Sequence, residues 1–203
     1  MDIGCGSGVS LIEAEKLGAN AFGLEADPNV EKISKELNLN IFQGSLEESP
    51  FKDIKFDLIT LNQVIEHIPE PDILLNSLTN KLTKNGVIII SFPNVNSFWR
   101  FLFKERWINW HVPYHLHHFK GKNFCRLLNK CGFQIIKKKS ITPNIWSLMQ
   151  IRNILSPIKI GEKNKQWTTY NLLNSINKTD KDLINKIKIL FKNLIKTLFL
   201  TPI

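Results

Sequence analysis

Asp2-Ile3-Gly4-Cys5-Gly6-Ser7-Gly8, followed by Gly23-Leu24-Glu25, is the stretch on which the fold of this chain is read. Glycines at 4, 6 and 8 let the backbone adopt positive φ and approach a ligand closely. N–H groups at the start of the helix that follows can receive a carboxylate or phosphate. Glu25, at the end of the next strand, is placed to accept hydrogen bonds from both hydroxyls of a ribose. Together they imply an adenosine-type cofactor. The spacing Asp2-x-Gly4-x-Gly6-x-Gly8, with no glycine at position 9, departs from the G-x-G-x-x-G of dinucleotide sites and disfavours an NAD-linked oxidoreductase. Only residues 1–3 precede the turn, so the first strand reads as shortened at its front edge.

Outward from this turn, apolar segments alternate with helical patterns as far as about Ser140, which predicts a parallel sheet with crossover helices. Helices are expected over 9–17, 28–37, 72–82 and 121–130. Strands are expected over 21–25, 41–43, 56–61 (FDLITL, read as buried), 87–92 (VIIISF) and 133–139. The fold class is therefore α/β, a Rossmann-like, doubly wound and mostly parallel sheet of strand order 3-2-1-4-5-6. Residues 1–140 form its cofactor-binding domain, with an acceptor lid over 93–120, and no seventh strand is visible. Residues 141–203 read as a basic, mostly helical C-terminal extension. Within it, 183–200 places Leu183, Ile187, Leu190, Phe191, Leu194 and Leu198 on one face and Lys188, Lys192 and Lys196 opposite. Such a helix could lie on an anionic membrane surface, or cover the sheet or a partner with its lysines solvated.

Size and charge narrow the classes. A chain of 203 residues with 43% apolar content suffices for one compact domain with a real core. The net charge of +9 invites a nucleic-acid reading. Its lysines, however, are mixed with abundant isoleucine and asparagine, as in a general compositional bias. Cys5, Cys125 and Cys131 are odd in number and lack metal or redox spacing, which fits reduced thiols in a cytoplasmic protein, peripheral at most to the inner membrane face.

Two further loops fall at carboxyl ends of strands, where open α/β sheets bind ligands: Gly44-Ser45-Leu46 and Asn62-Gln63-Val64-Ile65-Glu66-His67. On these residues the chain resembles the class I S-adenosylmethionine-dependent methyltransferases over 1–140, D-x-G-C-G-x-G being a specific signature of that family. The resemblance implies S-adenosylmethionine as cofactor. Asp2, Gly4, Cys5, Gly6 and Gly8 would cradle its methionine part, Glu25 with Ala26 the ribose, Ser45 and Leu46 the adenine, and Asn62, Gln63 and Val64 the methionyl side. Many members carry an acidic residue where Ser45 or Leu46 stands here, which leaves adenine recognition to backbone groups. Pro113-Tyr114-His115-Leu116-His117-His118-Phe119 and Cys131-Gly132-Phe133 resemble the branch that includes ubiquinone-type O-methyltransferases and other small-molecule methyltransferases.

Methyl transfer from a sulfonium is an in-line displacement, so an enzyme must align the acceptor and remove the proton of a hydroxyl. Histidine suits that task near neutral pH. Among His67, His115, His117 and His118, the expected catalytic residues are His67 and His115. Glu66-His67 with His115 or His117 could alternatively hold a divalent ion. Relatives that use such a metal carry Glu-x-x-Glu-His where this chain has Gln63-x-x-Glu66-His67, and a metal-free site is preferred. Phe98 to Trp107 and Trp110 form an aromatic, basic stretch, read either as an acceptor lid that stacks on a flat ring or as a helix packed over the strand-five edge. The expected function is methyl transfer to a small molecule, at oxygen before carbon or nitrogen. Rivals are a shortened domain that binds cofactor or partner without turnover, and an RNA methyltransferase. The latter is disfavoured because no dedicated RNA-binding module is visible. Nothing in the sequence sets an oligomeric state.

Overall fold

In the computed structural model, residues 1–142 and 144–155 are described. Five parallel strands form one sheet of order β3-β2-β1-β4-β5, where β1 is Asp2–Ile3, β2 Gly23–Glu25, β3 Ile41–Gln43, β4 Phe56–Asn62 and β5 Leu82–Ser91. The crossover helices are α1 (Val9–Lys16), α2 (Val30–Leu37) and α3 (Pro71–Thr79), and α4 (Phe98–Phe103), α5 (Gly121–Lys130) and α6 (Asn144–Leu155) follow β5. The order reverses between β2–β1 and β1–β4, so the carboxyl ends of β1, β2 and β4 flank the crevice where such sheets bind ligands.

Local sequence accounts for most boundaries. Pro71 begins α3 at a position where its missing N–H removes no helix bond. Asn38 ends α2 in the left-handed conformation. Gly23 on β2 has no side chain because a Cβ there would lie 2.7 Å from both Cys5 Sγ and Leu11 Cδ1, so α1 seats tightly on the sheet. The main core gathers Ile59, Leu61, Ile65, Leu75 and Leu78, all fully buried, around Leu24, Leu46 and Phe124. Burial of each such side chain contributes about 1.5–3 kcal/mol. Phe92, Phe119 and Phe124 pack ring against ring at 4.4–5.3 Å and tie the end of β5 to α5.

Three expectations need correction. Residues 133–139 make no strand, so the sheet has five members among the described residues. Phe133 reaches the core, but Ile136 is 80% exposed and Lys137, Lys138 and Lys139 follow it, leaving too little apolar surface to seal a ladder against β5. The helix expected over 72–82 stops at Thr79, and β5 begins at Leu82, running through Asn85 and Gly86. The register jumps there, from Phe56↔Leu82 to Leu58↔Val87, and glycine is required because a Cβ at 86 would sit 2.8 Å from the Phe56 carbonyl. Finally, β4 is not buried throughout: Phe56, Ile59 and Leu61 are buried, while Leu58 is 44% exposed.

Met1–Ile154 form one compact unit, which includes α6 as far as Ile154. No helix among the described residues is long and apolar enough to cross a membrane. The amphipathic segment 183–200 lies outside the described residues.

Candidate active site

The turn after β1 takes left-handed angles at Gly4 (φ 69°), Gly6 (φ 53°) and Gly8 (φ 73°). The N–H groups of Gly4 and Cys5 donate to the Leu24 carbonyl at 2.8 and 3.1 Å, closing the turn over the end of β2. Gly6 N–H donates to Glu25 Oε2 at 2.8 Å, while Ala26 and Asp27 N–H donate to Glu25 Oε1 at 2.8 and 3.2 Å. Glu25 and the glycine turn are thus brought together, and backbone groups fix the carboxylate at the rim of the crevice. Around Gly6 the space is open, with nothing within 4 Å of where a Cβ would stand. At Gly4, by contrast, a Cβ would meet Val64 Cγ2 at 2.4 Å, so the turn rests on the loop after β4.

Asp2 does not face the crevice as a free carboxylate. It is buried, with Oδ1 accepting from Thr60 Oγ1 at 2.6 Å and Oδ2 from Ser10 Oγ, and so it pins β1 to β4 and to α1. Cys5 points into the small cluster of Leu11, Ala21 and Leu39, and burial pushes its thiol up to about 12, with Asp2 and Glu25 adding to the effect. An inert thiol of this kind leaves only the Cys5 backbone for a ligand. Leu46 is buried in the main core, while Ser45 is exposed, with its N–H and hydroxyl donating to Glu48 Oε2 at 3.3 and 3.0 Å.

After β4, Gln63 holds φ 59°, a conformation that a residue with this side chain adopts only where its surroundings impose it. Its N–H donates to the Ser91 carbonyl at 3.0 Å and its Nε2 to Ser91 Oγ at 3.3 Å, and Ser91 Oγ donates in turn to Asn62 Oδ1. Asn62, Gln63 and Ser91 therefore form one polar network at the carboxyl ends of β4 and β5. The side chain of Gln63 belongs to that network.

Beyond it the chain concentrates its imidazoles. All five histidines stand at 67, 111, 115, 117 and 118. The ring of His115 lies 4.7 Å from that of His67 and 4.9 Å from that of His111. Four of them bond to main-chain carbonyls through one nitrogen: His67 Nδ1 to Tyr114 (2.8 Å), His115 Nδ1 to Asn109 (2.8 Å), His117 Nε2 to Pro69 (3.1 Å) and His118 Nε2 to Trp110 (3.0 Å). A ring nitrogen donates to a carbonyl, which fixes the tautomer and leaves the second nitrogen as an acceptor. For His115 that acceptor is Nε2, 4.0 Å from Glu66 Oε1. Burial lowers His115 to about 4, with His67, His111 and His118 pressing the same way, so it is neutral at pH 7.

Glu66 is the residue here whose weight the sequence understates. Its side chain is 1% exposed, and neither carboxylate oxygen has a hydrogen-bond partner. Burial raises its pKa. Meanwhile its own carbonyl accepts from the N–H groups of Leu116 and His117 at 2.9 and 3.0 Å, which docks the histidine segment onto the turn after β4. Glu66, His67 and His115 each offer a ligand atom within 4.8 Å of the others. An orphaned buried carboxylate beside two imidazoles fits a divalent cation of the kind that accepts nitrogen ligands.

The segment 93–120, expected to form the acceptor lid, is folded on itself. Ser97 caps α4 by accepting from Arg100 N–H at 3.2 Å, Trp107 is buried, and Trp110 Nε1 donates to the Lys104 carbonyl at 2.7 Å. Arg100, Phe101, Lys104, Glu105 and Trp110 line an open cleft of about 600 Å³, and the Trp110 ring lies 4.9 Å from that of His118. Phe101 is 74% exposed on this side.

Residues 1–138 match the family described as Methyltransferase domain. The chain belongs to that family. Its sheet is the class I methyltransferase fold, and a SAM-dependent methyltransferase of Archaeoglobus fulgidus superposes with a TM-score of 0.54 at 19% identity, covering 74% of this chain and 75% of that one. Among curated relatives, the ribosomal protein L11 methyltransferase of Helicobacter hepaticus is 36% identical over 99 residues, covering 45% of this chain and 30% of the relative. The mitochondrial ubiquinone biosynthesis O-methyltransferase of Schizosaccharomyces pombe is 33% identical over 100 residues, covering 45% and 36%. The methyltransferase domain of this chain thus matches about a third of the length of those two relatives.

Proposed function

We propose that this chain binds S-adenosylmethionine and transfers its methyl group to an oxygen of a small-molecule acceptor. The observation that carries the reading is the glycine turn, left-handed and open at Gly6, with Glu25 held against it by backbone N–H groups. Turn N–H groups at the head of α1 suit the methionine carboxylate. Glu25 suits the ribose: three N–H groups occupy most of its roughly four acceptor positions, and release of the Gly6 contact would free a second one for the other hydroxyl. Ser45 and the Leu46 backbone would flank the adenine, and the Asn62–Gln63–Ser91 network would line the methionyl side. The names of the curated relatives support an oxygen acceptor in one case and a protein acceptor in the other.

S-adenosylmethionine supplies an electrophilic methyl whose bonding electrons leave on sulfur. The residues of this chain have two tasks, alignment and proton removal. His67, oriented through Nδ1 by the Tyr114 carbonyl, takes the hydroxyl proton as the new C–O bond forms and later returns it to solvent. His115 is neutral, and through Nε2 it orients the acceptor as a hydrogen-bond acceptor. Phe101 and Trp110 offer faces for a flat ring, and Arg100 and Lys104 offer charge for an anionic substituent. In a second reading, favoured by the orphaned Glu66 oxygens, Glu66, His67 and His115 would hold a divalent cation, which would supply Lewis-acid chemistry beside the acceptor.

Transfer of labelled methyl from S-adenosylmethionine to a panel of phenolic and catecholic acids tests the proposal. The expected result is label in an acceptor, with His67→Ala lowering kcat by about 10²–10⁴-fold. Activity that survives chelation supports the metal-free site. Loss on chelation with recovery in Mn²⁺ assigns the second reading. Label that goes to RNA and to none of the acids contradicts the small-molecule assignment.

A further inference from the structure

Gln150 lies on α6, outside the residues that match the methyltransferase-domain family, yet it is 1% exposed. Its side-chain amide is engaged at both ends with the backbone of the lid. Oε1 accepts from Ile108 N–H at 2.7 Å, and Nε2 donates to the Arg106 carbonyl at 2.9 Å. Between those two residues Trp107 is buried against Trp110, with ring centroids 5.4 Å apart. The segment clamped in this way carries the next two carbonyls, those of Asn109 and Trp110, which receive His115 Nδ1 and His118 Nε2. It is also bracketed by strained backbone, since Lys104 (φ 46°) and His111 (φ 37°) are non-glycine residues with positive φ. Such conformations persist only where surrounding contacts over-determine them.

We propose that Gln150 is a positioning residue of the acceptor site: its amide locks the lid backbone at Arg106 and Ile108, and through the Asn109 carbonyl it fixes the orientation of His115. This deepens the proposed function and rests on its reading of the lid as the acceptor side of the site. The shared domain would then bring the cofactor turn, while a residue beyond it sets the shape that the acceptor meets. An apolar residue at 150 would leave the part-buried Ile108 N–H and Arg106 carbonyl without this partner, and the strained segment would lose the contact that holds it.

The test uses the full chain with Gln150→Leu and Gln150→Glu, and neither main readout needs the acceptor to be known. Lys104 and Arg106 are exposed, and trypsin cleavage after them requires the backbone around them to open locally, while long-range nitrogen spectra report which ring nitrogen of His115 carries the proton. S-adenosylhomocysteine binding reports the cofactor side. For Gln150→Leu the expected result is lid cleavage faster by about tenfold or more, loss of the Nδ1–H signature of His115, and unchanged affinity for S-adenosylhomocysteine. Cleavage and spectrum equal to wild type would overturn the proposal. Should the leucine variant not fold, Gln150→Glu decides. Its protonated carboxyl accepts and donates as the amide does, whereas the carboxylate cannot donate to Arg106. Lid protection that approaches that of wild type at the same pH as the pH is lowered supports the clamp, and protection equal to wild type at every pH contradicts it. A wild-type chain that methylates no acid leaves these outcomes intact and counts against the proposed function alone.

Discussion

Gly4 and Gly6 stand two residues apart in one turn, with nearly the same left-handed backbone, and the structure gives them different reasons for being glycine. Gly4 touches Val64, whereas Gly6 faces open space. Gly4→Ala is therefore expected to destabilise the fold by about 2–4 kcal/mol, combining a left-handed alanine with an overpacked contact. Gly6→Ala should lower stability by only about 1–2 kcal/mol and chiefly weaken cofactor binding. Denaturant unfolding beside ligand titration separates the two, and equal stability losses would contradict the assignment. The spacing of the glycines and the position of Glu25 were legible in the sequence, because strand, turn and helix geometry constrain them locally. The duties of Asp2 and Leu46 were not. Which way a side chain turns at the end of a two-residue strand depends on Thr60 and Ser10, 58 and 8 residues away. Leu46 faces the core because of the sheet packed beneath it.

At the scale of elements, the lid is held by imidazoles bonded to carbonyls, and its stability carries a pH signature. His115 has a folded pKa of about 4, below the ordinary imidazole value of 6.5. Its contribution is complete above pH 6.5 and is lost as the pH falls through about 4. Glu66 runs the other way, since a raised carboxyl favours the fold at low pH and loses that contribution as the pH rises. The difference between wild type and His115→Gln isolates the histidine. Between pH 7 and pH 4 the wild type should lose on the order of 2 kcal/mol more stability than the variant, and parallel curves would refute the assignment. Helices and strands flanking the crevice were legible from periodicity and from Pro71 and Asn38. The expected strand over 133–139 failed because alternation alone does not bury Ile136 beside three lysines. The bulge at Gly86 was invisible because a helix-stop signal and a strand glycine look alike without the partner strand. Gln150 carried no signal, since one polar residue among several in a helix gains meaning only from the backbone it meets.

For the molecule as a whole, the alternation of strands and helices and one signature turn were enough to give the architecture and strand order around the cofactor crevice. The net charge of +9 was a poorer guide. Charge is read by its clustering on one face, and the lysines described here are spread along α2, the β5 edge and the 137–139 run. The proposed acceptor side was less legible, because it would be assembled from the 93–120 segment, the histidines and α6, which only the tertiary fold brings together. The central claim is that the Gly4–Gly8 turn and Glu25 form a working cofactor site. Calorimetric titration of S-adenosylhomocysteine into the wild-type chain and into Glu25→Ala tests it most directly. Saturable binding that weakens by about 10–100-fold in the variant is the predicted result, as expected for loss of charge-assisted hydrogen bonds. No binding at millimolar ligand, or equal affinity in the two proteins, would contradict the claim.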